Sequence, residues 1–544
     1  LSFGMLTRSG TNAEGTTWEC PPPTPPRVGL PSPRPAMAVA PPRPHLLLAL
    51  LAPAALAVGC RPAEALIRWP VPPPPPLSAQ QPQLWVALAA HLGSAPLRLQ
   101  SAGGPLELID ARGQRQSGAQ LALRWRPEAL PRPLLLQRSV LGPFPSFESA
   151  EQVALAWARS GADVVVAHPD DWEVWAEPGL APPPGRVPRL QKLTLQQRLV
   201  PELQLASGWR RLEGPVRIQA PQGLRWQGGV FRGPFRLQAD AYGTWSLVEQ
   251  VPLERYLEGV VPHEIGAGAP AAALAAQAVL ARTWALRNQH RFLVDGYHLC
   301  ADTQCQVYSD PRQASASVRA AIAASRGRVL SWRRQPIHAV YHASNGGVAA
   351  GYPEAWAGPP LPYLKPALDG PPALVAALPL PLQGLGPLRA LLERGGSAYG
   401  ASHPLFRWTR LLDRAQIERA LGPAAAGLGP LRELAVLERG PSGRVLRLAL
   451  RGSRGERVLE RDAIRRTLRS LPSTLFLLSS PQPGLWRFQG GGFGHGAGLS
   501  QAGALDLAAR GWTLDRILNH YYPGTSLLPL EALAPGAGPS GSGL

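Results

Sequence analysis

The chain of 544 residues is poor in the residues that most often mark a metalloprotein or a disulfide scaffold: it has four cysteines and two methionines. Lysine is nearly absent too. Lys192 and Lys365 stand alone among arginines, and a formal charge of +19 is therefore almost wholly guanidinium. Such a charge favours an anionic partner such as nucleic acid, a membrane surface or a cell-wall polymer. No arginine run is interleaved with aromatics in the manner of a nucleic-acid module, so nucleic acid is not an expected partner. The abundance of Pro, Ala and Gly beside arginine fits a bias toward GC-rich codons equally well. No segment has an apolar run of membrane-spanning length, and no period of 20 to 50 residues repeats, which excludes a solenoid.

Residues 1–36 are rich in Pro, Gly and Thr and have no hydrophobic period. From Met37 the chain has the layout of a secretory signal peptide, with Arg43 before an apolar run from Leu46 to Gly59. Cys60 follows Ala57, Val58 and Gly59, a box that fits lipid attachment as well as ordinary cleavage nearby. The expected location is outside the cytoplasm, in the periplasm or cell envelope, with a membrane reached only through the signal or a lipid on Cys60. Cys300 and Cys305 are the only pair in the mature body. Their spacing allows a local disulfide or free thiols, and with His298 they are three of the four ligands that a zinc site usually takes. No other cofactor is implied.

Composition divides the chain into a leader (1–60), a Pro-rich linker (61–83), an N-terminal α+β region (84–177), a second linker (178–214), a core (215–530) and a tail (531–544). Short alternating runs predict strands at LWVAL, LRLQ and LELID, and again at VRIQA, LRWQG, FRLQAD and TWSLVEQV. Asp240 to Gly243 predicts a hairpin turn. Residues 149–159 read as a helix leading into the strands ADVVVA and WEVWA, a unit that resembles half of a sporulation-related repeat domain, a module that binds glycan strands. Pro270 starts an Ala-rich helix reaching Gln289, about 30 Å long. The strand and helix signals together predict an α+β fold of mixed sheets and helices.

Two stretches carry chemistry. Gly490 to Gly503 reads GGGFGHGAGLSQAG, seven glycines around His495, a backbone able to turn tightly and approach a ligand closely. Its Ser500 and Gln501 open a helix whose free N–H groups can hold carbonyl or hydroxyl oxygens. Glu264 lies in a short loop just before the long helix, where a carboxylate serves the helix dipole or a site.

The segment Leu253–Leu286 resembles the signature of the stage II sporulation protein D family (SpoIID/LytB), with Val261, Pro262 and Glu264 ahead of Ala276, Gln277, Ala278, Ala281, Arg282 and Thr283. CADTQCQVYSD (Cys300–Asp310), YHASNGG (Tyr341–Gly347) with Trp356 and PYL after it, and GFGHGAGLSQAGA with ILNHYYPGT follow in the family's order. The resemblance covers Val216 to Leu527. It implies action on peptidoglycan: lytic transglycosylase activity on glycan strands with Glu264 as the single acid/base, or glycan binding that enhances a cell-wall amidase without catalysis. It also makes Arg282, His342, Ser344, Trp356, Tyr363, His495, Ser500 and Gln501 substrate-binding candidates, with Arg282 positioning Glu264 or a sugar substituent. Zinc-binding members carry histidine where Gln304 precedes Cys305, a departure that counts against zinc.

Overall fold

The computed structural model describes residues 66–161 and 163–534. The signal-peptide reading, Cys60 and most of the tail lie outside the described residues. No described helix is long and apolar enough to cross a membrane.

The fold is α+β. Two large sheets carry the first half of the chain. One has seven strands in the order Leu299–Cys300, Gln83–Leu92, Trp245–Pro252, Phe235–Ala239, Val216–Gln219, Leu106–Ile109 and Arg115–Gly118. The other is built on the long strand Gln120–Phe144, which pairs with Leu97–Ser101, Trp172–Ala176 and Arg189–Leu205. Alternation explains how both sheets meet the core. In Val216–Gln219 of the first and Leu97–Ser101 of the second, every second side chain is buried, so one face of each strand turns inward.

This topology alters the division expected from composition. The strands Gln83–Leu92 and Leu106–Ile109 share a sheet with Val216–Gln219, Phe235–Ala239 and Trp245–Pro252, so the N-terminal region and the core are built as one piece. Residues 178–214, expected as a linker, contain the 17-residue strand Arg189–Leu205. Its register runs antiparallel from Leu123↔Leu203 to Val140↔Arg189, with one shift between Ala129 and Leu134. The helix Phe147–Ala158 and strands Val164–Ala167 and Trp172–Ala176 form as expected.

The helix Ala271–Arg287 is the axis of the core. Every residue from Ala276 to Leu286 is buried, which is the behaviour of a helix enclosed on all sides. Its alanines let the helices Leu253–Val261, Ala316–Ala324, Gln501–Ala509 and Leu514–Tyr521 pack close around it. Residues 351–490 form an insertion with two three-stranded sheets and apolar clusters of their own, around Trp486, Phe488 and Ile464 and around Leu382, Leu388 and Leu391.

Arg282 sits on the buried axis and is wholly enclosed. Its guanidinium donates to both carboxylate oxygens of Glu254, at 2.8 and 2.7 Å, and to the carbonyl of Arg328 at 3.1 Å. The expectation that it positions Glu264 or a sugar is therefore corrected: it ties three elements together. Removing one partner of such a pair strands a buried charge. Arg282→Met is expected to lower the unfolding free energy by about 3 kcal/mol, and the double variant Glu254→Leu/Arg282→Met to recover most of that loss, read by chemical denaturation.

Candidate functional site

Glu264 lies in a π-helical turn, Pro262–Gly266, between the helices Leu253–Val261 and Ala271–Arg287, rather than in an irregular loop. Such turns widen a helix locally and re-aim a side chain. Pro262 suits the start of the turn, and Gly266, with φ of 90°, ends it. The preceding helix is pressed against the chain by Gly259, where a Cβ would lie 2.5 Å from the carbonyl oxygen of Ser309. That contact seats residues 305–309 beside Glu264.

The carboxyl is half-buried. The Val307 N–H donates to its Oε1 at 3.3 Å, and the Gln501 amide and Tyr341 hydroxyl lie close enough to favour its charged form. Burial raises its pKa, and these three donors oppose the rise without cancelling it. A short relay fixes the Tyr341 hydroxyl: Tyr256 donates to Gln306 Oε1 at 3.1 Å, and Gln306 Nε2 donates to Tyr341 at 2.9 Å. Burial, with the Glu264 charge next in weight, holds the Tyr341 hydroxyl well above its ordinary range, so it remains a donor at neutral pH. Gln501 is steadied in turn by Gln277, whose Oε1 lies 3.4 Å from Gln501 Nε2. The chemical result is one carboxyl, near the surface, that is easier to keep protonated than a free glutamate and is held by neutral donors.

Four blocks distant in sequence meet here. Gln501, a substrate-binding candidate from the resemblance, lies beside Glu264. Tyr341, Gln306, Tyr256 and the Val307 N–H were not singled out from sequence, although Tyr341, Gln306 and Val307 lie inside the quoted motif blocks and Tyr256 inside the Leu253–Leu286 signature. The other candidates belong to the scaffold beside the site. His342 is buried, with Nδ1 3.1 Å from the Ala497 carbonyl and Nε2 unpartnered, and burial keeps it neutral. His495 donates from Nε2 to the Tyr341 carbonyl at 2.9 Å and accepts the Ala497 N–H at Nδ1; burial lowers its pKa to about 4. Ser344 and Ser500 are buried, Ser500 capping its helix by accepting the Gly503 N–H at 3.2 Å.

Trp356 and Tyr363, expected as sugar-stacking faces, are buried as well. Trp356 lies 4.8 Å from the His495 ring, and the Tyr363 hydroxyl accepts the His338 N–H. Neither presents a free face, because aromatic area of this size is worth most when removed from water.

The glycine loop is likewise no open cradle. Gly492, Gly494, Gly496 and Gly498 all have positive φ, between 72 and 109°, so every second residue requires glycine. The loop lies backbone to backbone on the YHASNGG turn: Ser344 bridges Phe493, and Tyr341–His342 runs parallel to Leu499–Ser500. A Cβ on Gly498 would sit 2.0 Å from the Val340 carbonyl oxygen.

Residues 241–332, which include Glu264, match the family model "Stage II sporulation protein". The chain is similar to the stage II sporulation protein D family across half its length. Stage II sporulation protein D of Bacillus subtilis (strain 168) is 26% identical over 307 residues, covering 52% of this chain and 77% of that protein. The protein of the same name from Bacillus amyloliquefaciens is 27% identical, covering 52% and 75%. The amidase enhancer of Bacillus subtilis (strain 168) is 25% identical over 293 residues, 50% of this chain and 40% of that protein. Residues 350–498 match a domain of unknown function (DUF8618), which corresponds to the insertion and the glycine loop.

Cys300 and Cys305 are joined by a disulfide with Cα atoms 5.7 Å apart. His298, the third zinc candidate, is held by backbone: its Nδ1 accepts the Trp85 N–H at 2.9 Å and its Nε2 meets the Pro75 carbonyl at 3.1 Å. Among the described residues no three His, Cys, Asp or Glu side chains converge as metal ligands. The disulfide closes the turn that presents Gln306 and Val307 to Glu264. Replacing both cysteines by serine is expected to cost on the order of 2 kcal/mol, read as a lower Tm.

The raised pKa of Glu264 has a definite sign. A carboxyl harder to ionise in the folded state than in the unfolded chain destabilises the fold once pH exceeds the unfolded value. Glu264→Gln is therefore expected to raise Tm at pH 7, and the gain should disappear as pH falls below the ordinary glutamate range, measured by thermal melts across pH.

Proposed function

We propose that the chain is an exported peptidoglycan-active protein and that it acts as a lytic transglycosylase on glycan strands, with Glu264 as its acid and then its base. The observation that carries this reading is a single half-buried carboxyl of raised pKa, bonded by the Val307 N–H and flanked by Tyr341 and Gln501, inside the segment that matches the sporulation family model.

Ordinary glycosidases use two carboxyl groups. A transglycosylase can use one. Protonated Glu264 gives its proton to the glycosidic oxygen as the bond from C1 to that oxygen breaks. The resulting carboxylate then takes the proton of the same sugar's C6 hydroxyl while O6 bonds to C1, closing an anhydro ring and restoring the acid. No water is consumed. The raised pKa suits the first half of this cycle, and the Tyr341 and Gln501 donors stabilise the carboxylate in the second.

The similarity to an amidase enhancer supports a second reading, glycan binding without catalysis. The two separate in one experiment. Purified protein incubated with denuded glycan is expected to yield anhydro-muramyl ends by mass spectrometry, Glu264→Gln none, and Tyr341→Phe about tenfold fewer per unit time. The rate should decline as pH rises through the Glu264 pKa, because the acid form is then lost. Wild-type protein that pellets with the wall and makes no such ends overturns the catalytic reading.

A further inference from the structure

A cavity of about 250 Å³ lies on the N-terminal side of the molecule, lined by Trp69, Trp85, Trp245, Arg236 and Gln238, with Pro72 among its walls. None of these residues falls in the family-model match except Trp245, and none is a partner of Glu264.

Its polar groups are few and complementary. Arg236 projects from the strand Phe235–Ala239, on the face opposite the buried Phe235 and Leu237, and its guanidinium lies over the Trp85 ring at 4.6 Å. Among the described residues no carboxylate pairs with its guanidinium, and the charged neighbour acting on it is another cation, Arg217. Arg198 and Arg211 also reach the cavity, but both are paired with Glu128, and the one carboxylate on its wall, Glu213, is paired with Arg112 and Arg211. A partly buried cation without a counter-charge is costly, and a ligand anion would pair with its guanidinium. Gln238 donates its amide N–H groups to the carbonyls of Gly296 at 2.8 Å and Asp295 at 3.4 Å, which orients its amide oxygen as the remaining acceptor. Trp245 is fixed by its own indole N–H, donated to the Leu199 carbonyl at 3.0 Å. The cavity thus offers indole surface, a cation without a counter-charge and one acceptor. Indole faces suit the C–H face of a pyranose ring; the cation suits a carboxylate; the acceptor suits a hydroxyl or an acetamido N–H.

We infer that this cavity is a second glycan subsite that takes an amino sugar bearing a carboxylate, the muramic residue of a strand stripped of its peptides. The assignment rests on the peptidoglycan reading given above and names which sugar of the strand the molecule grips away from Glu264. Arg236 holds the lactyl carboxylate, Gln238 the acetamido or hydroxyl hydrogen, and the partly exposed Trp69 and Trp85 the ring.

The test uses the full chain carrying Glu264→Gln, titrated calorimetrically with N-acetylmuramic acid and with N-acetylglucosamine. The acidic sugar is expected to bind about tenfold more tightly. Arg236→Gln should erase that preference, Arg236→Lys should retain it, and Gln238→Glu should weaken the acidic sugar while sparing the neutral one. Equal binding of the two sugars, no binding of either, or a preference that survives both Arg236→Gln and Gln238→Glu overturns the inference. Cleavage by the Glu264 chain is scored separately. If anhydro ends form while the acidic sugar shows no Arg236-dependent binding, this subsite falls and the catalytic reading stands. If the acidic sugar binds through Arg236 and no anhydro ends form, the subsite stands and the catalytic reading falls.

Discussion

The site depends on one backbone crossing. Gly346 and Gly492 pass each other so closely that a Cβ on Gly346 would meet the Gly492 nitrogen at 2.8 Å, and one on Gly492 would meet the Ser344 carbonyl oxygen at 2.6 Å. Two chain segments far apart in sequence can approach in this way only where neither carries a side chain. The crossing sets the parallel pairing of Tyr341–His342 with Leu499–Ser500. From that pairing, Tyr341 and the adjoining Gln501 reach the same carboxyl. His495 then locks the junction by bonding the Tyr341 carbonyl, so its role is to hold the main chain whose side chain flanks Glu264.

Electrostatics at Glu264 follows from the neutrality of its partners. The arginine on the adjoining helix is bound to Glu254, and the donors at Glu264 are a hydroxyl, an amide and one N–H. A cation at the carboxyl would have pulled its pKa down by direct attraction. Neutral donors do less, and burial prevails. The Arg282–Glu254 pair thus serves the site indirectly, by keeping its charge away from Glu264 while fixing the helix on which the π-turn is mounted.

Local signals carried most of the readable information. The Ala-rich helix, the hairpin at Asp240–Gly243 and the helix–strand unit at 147–176 all depend on residues close in sequence, and each is found where composition and spacing put it. What escaped was long-range. The strand Arg189–Leu205 was hidden by Pro/Gly residues around it, and its partner, Gln120–Phe144, lies on the far side of the helix–strand unit, a pairing that alternation alone does not reveal. Arg282 could not be assigned a partner because Glu254 meets it only through the crossing of two helices. Trp356 and Tyr363 carry the right chemistry for sugar stacking, yet burial, a property of the whole fold, decides against it. Tyr341 was passed over beside the more conspicuous His342, and which of the two faces Glu264 is set by strand alternation, since neighbours on a strand point to opposite sides.

The insertion of residues 351–490 explains how so distant a pair of blocks stays in register. Its ends are brought together by the parallel bridge between Ala350 and Ala497, so it leaves and rejoins the core at one place. Loop-closure cost grows only slowly with length, and a folded insertion with its own apolar clusters adds less still. It is also clamped from within. Arg444, fully buried on the insertion, donates to the carbonyls of Val348 and Asn345, while Glu354 accepts from Ser442. The Asn345 carbonyl belongs to the glycine crossing itself. The insertion therefore holds the turn that follows Tyr341, and through it the orientation of the Tyr341 side chain toward Glu264.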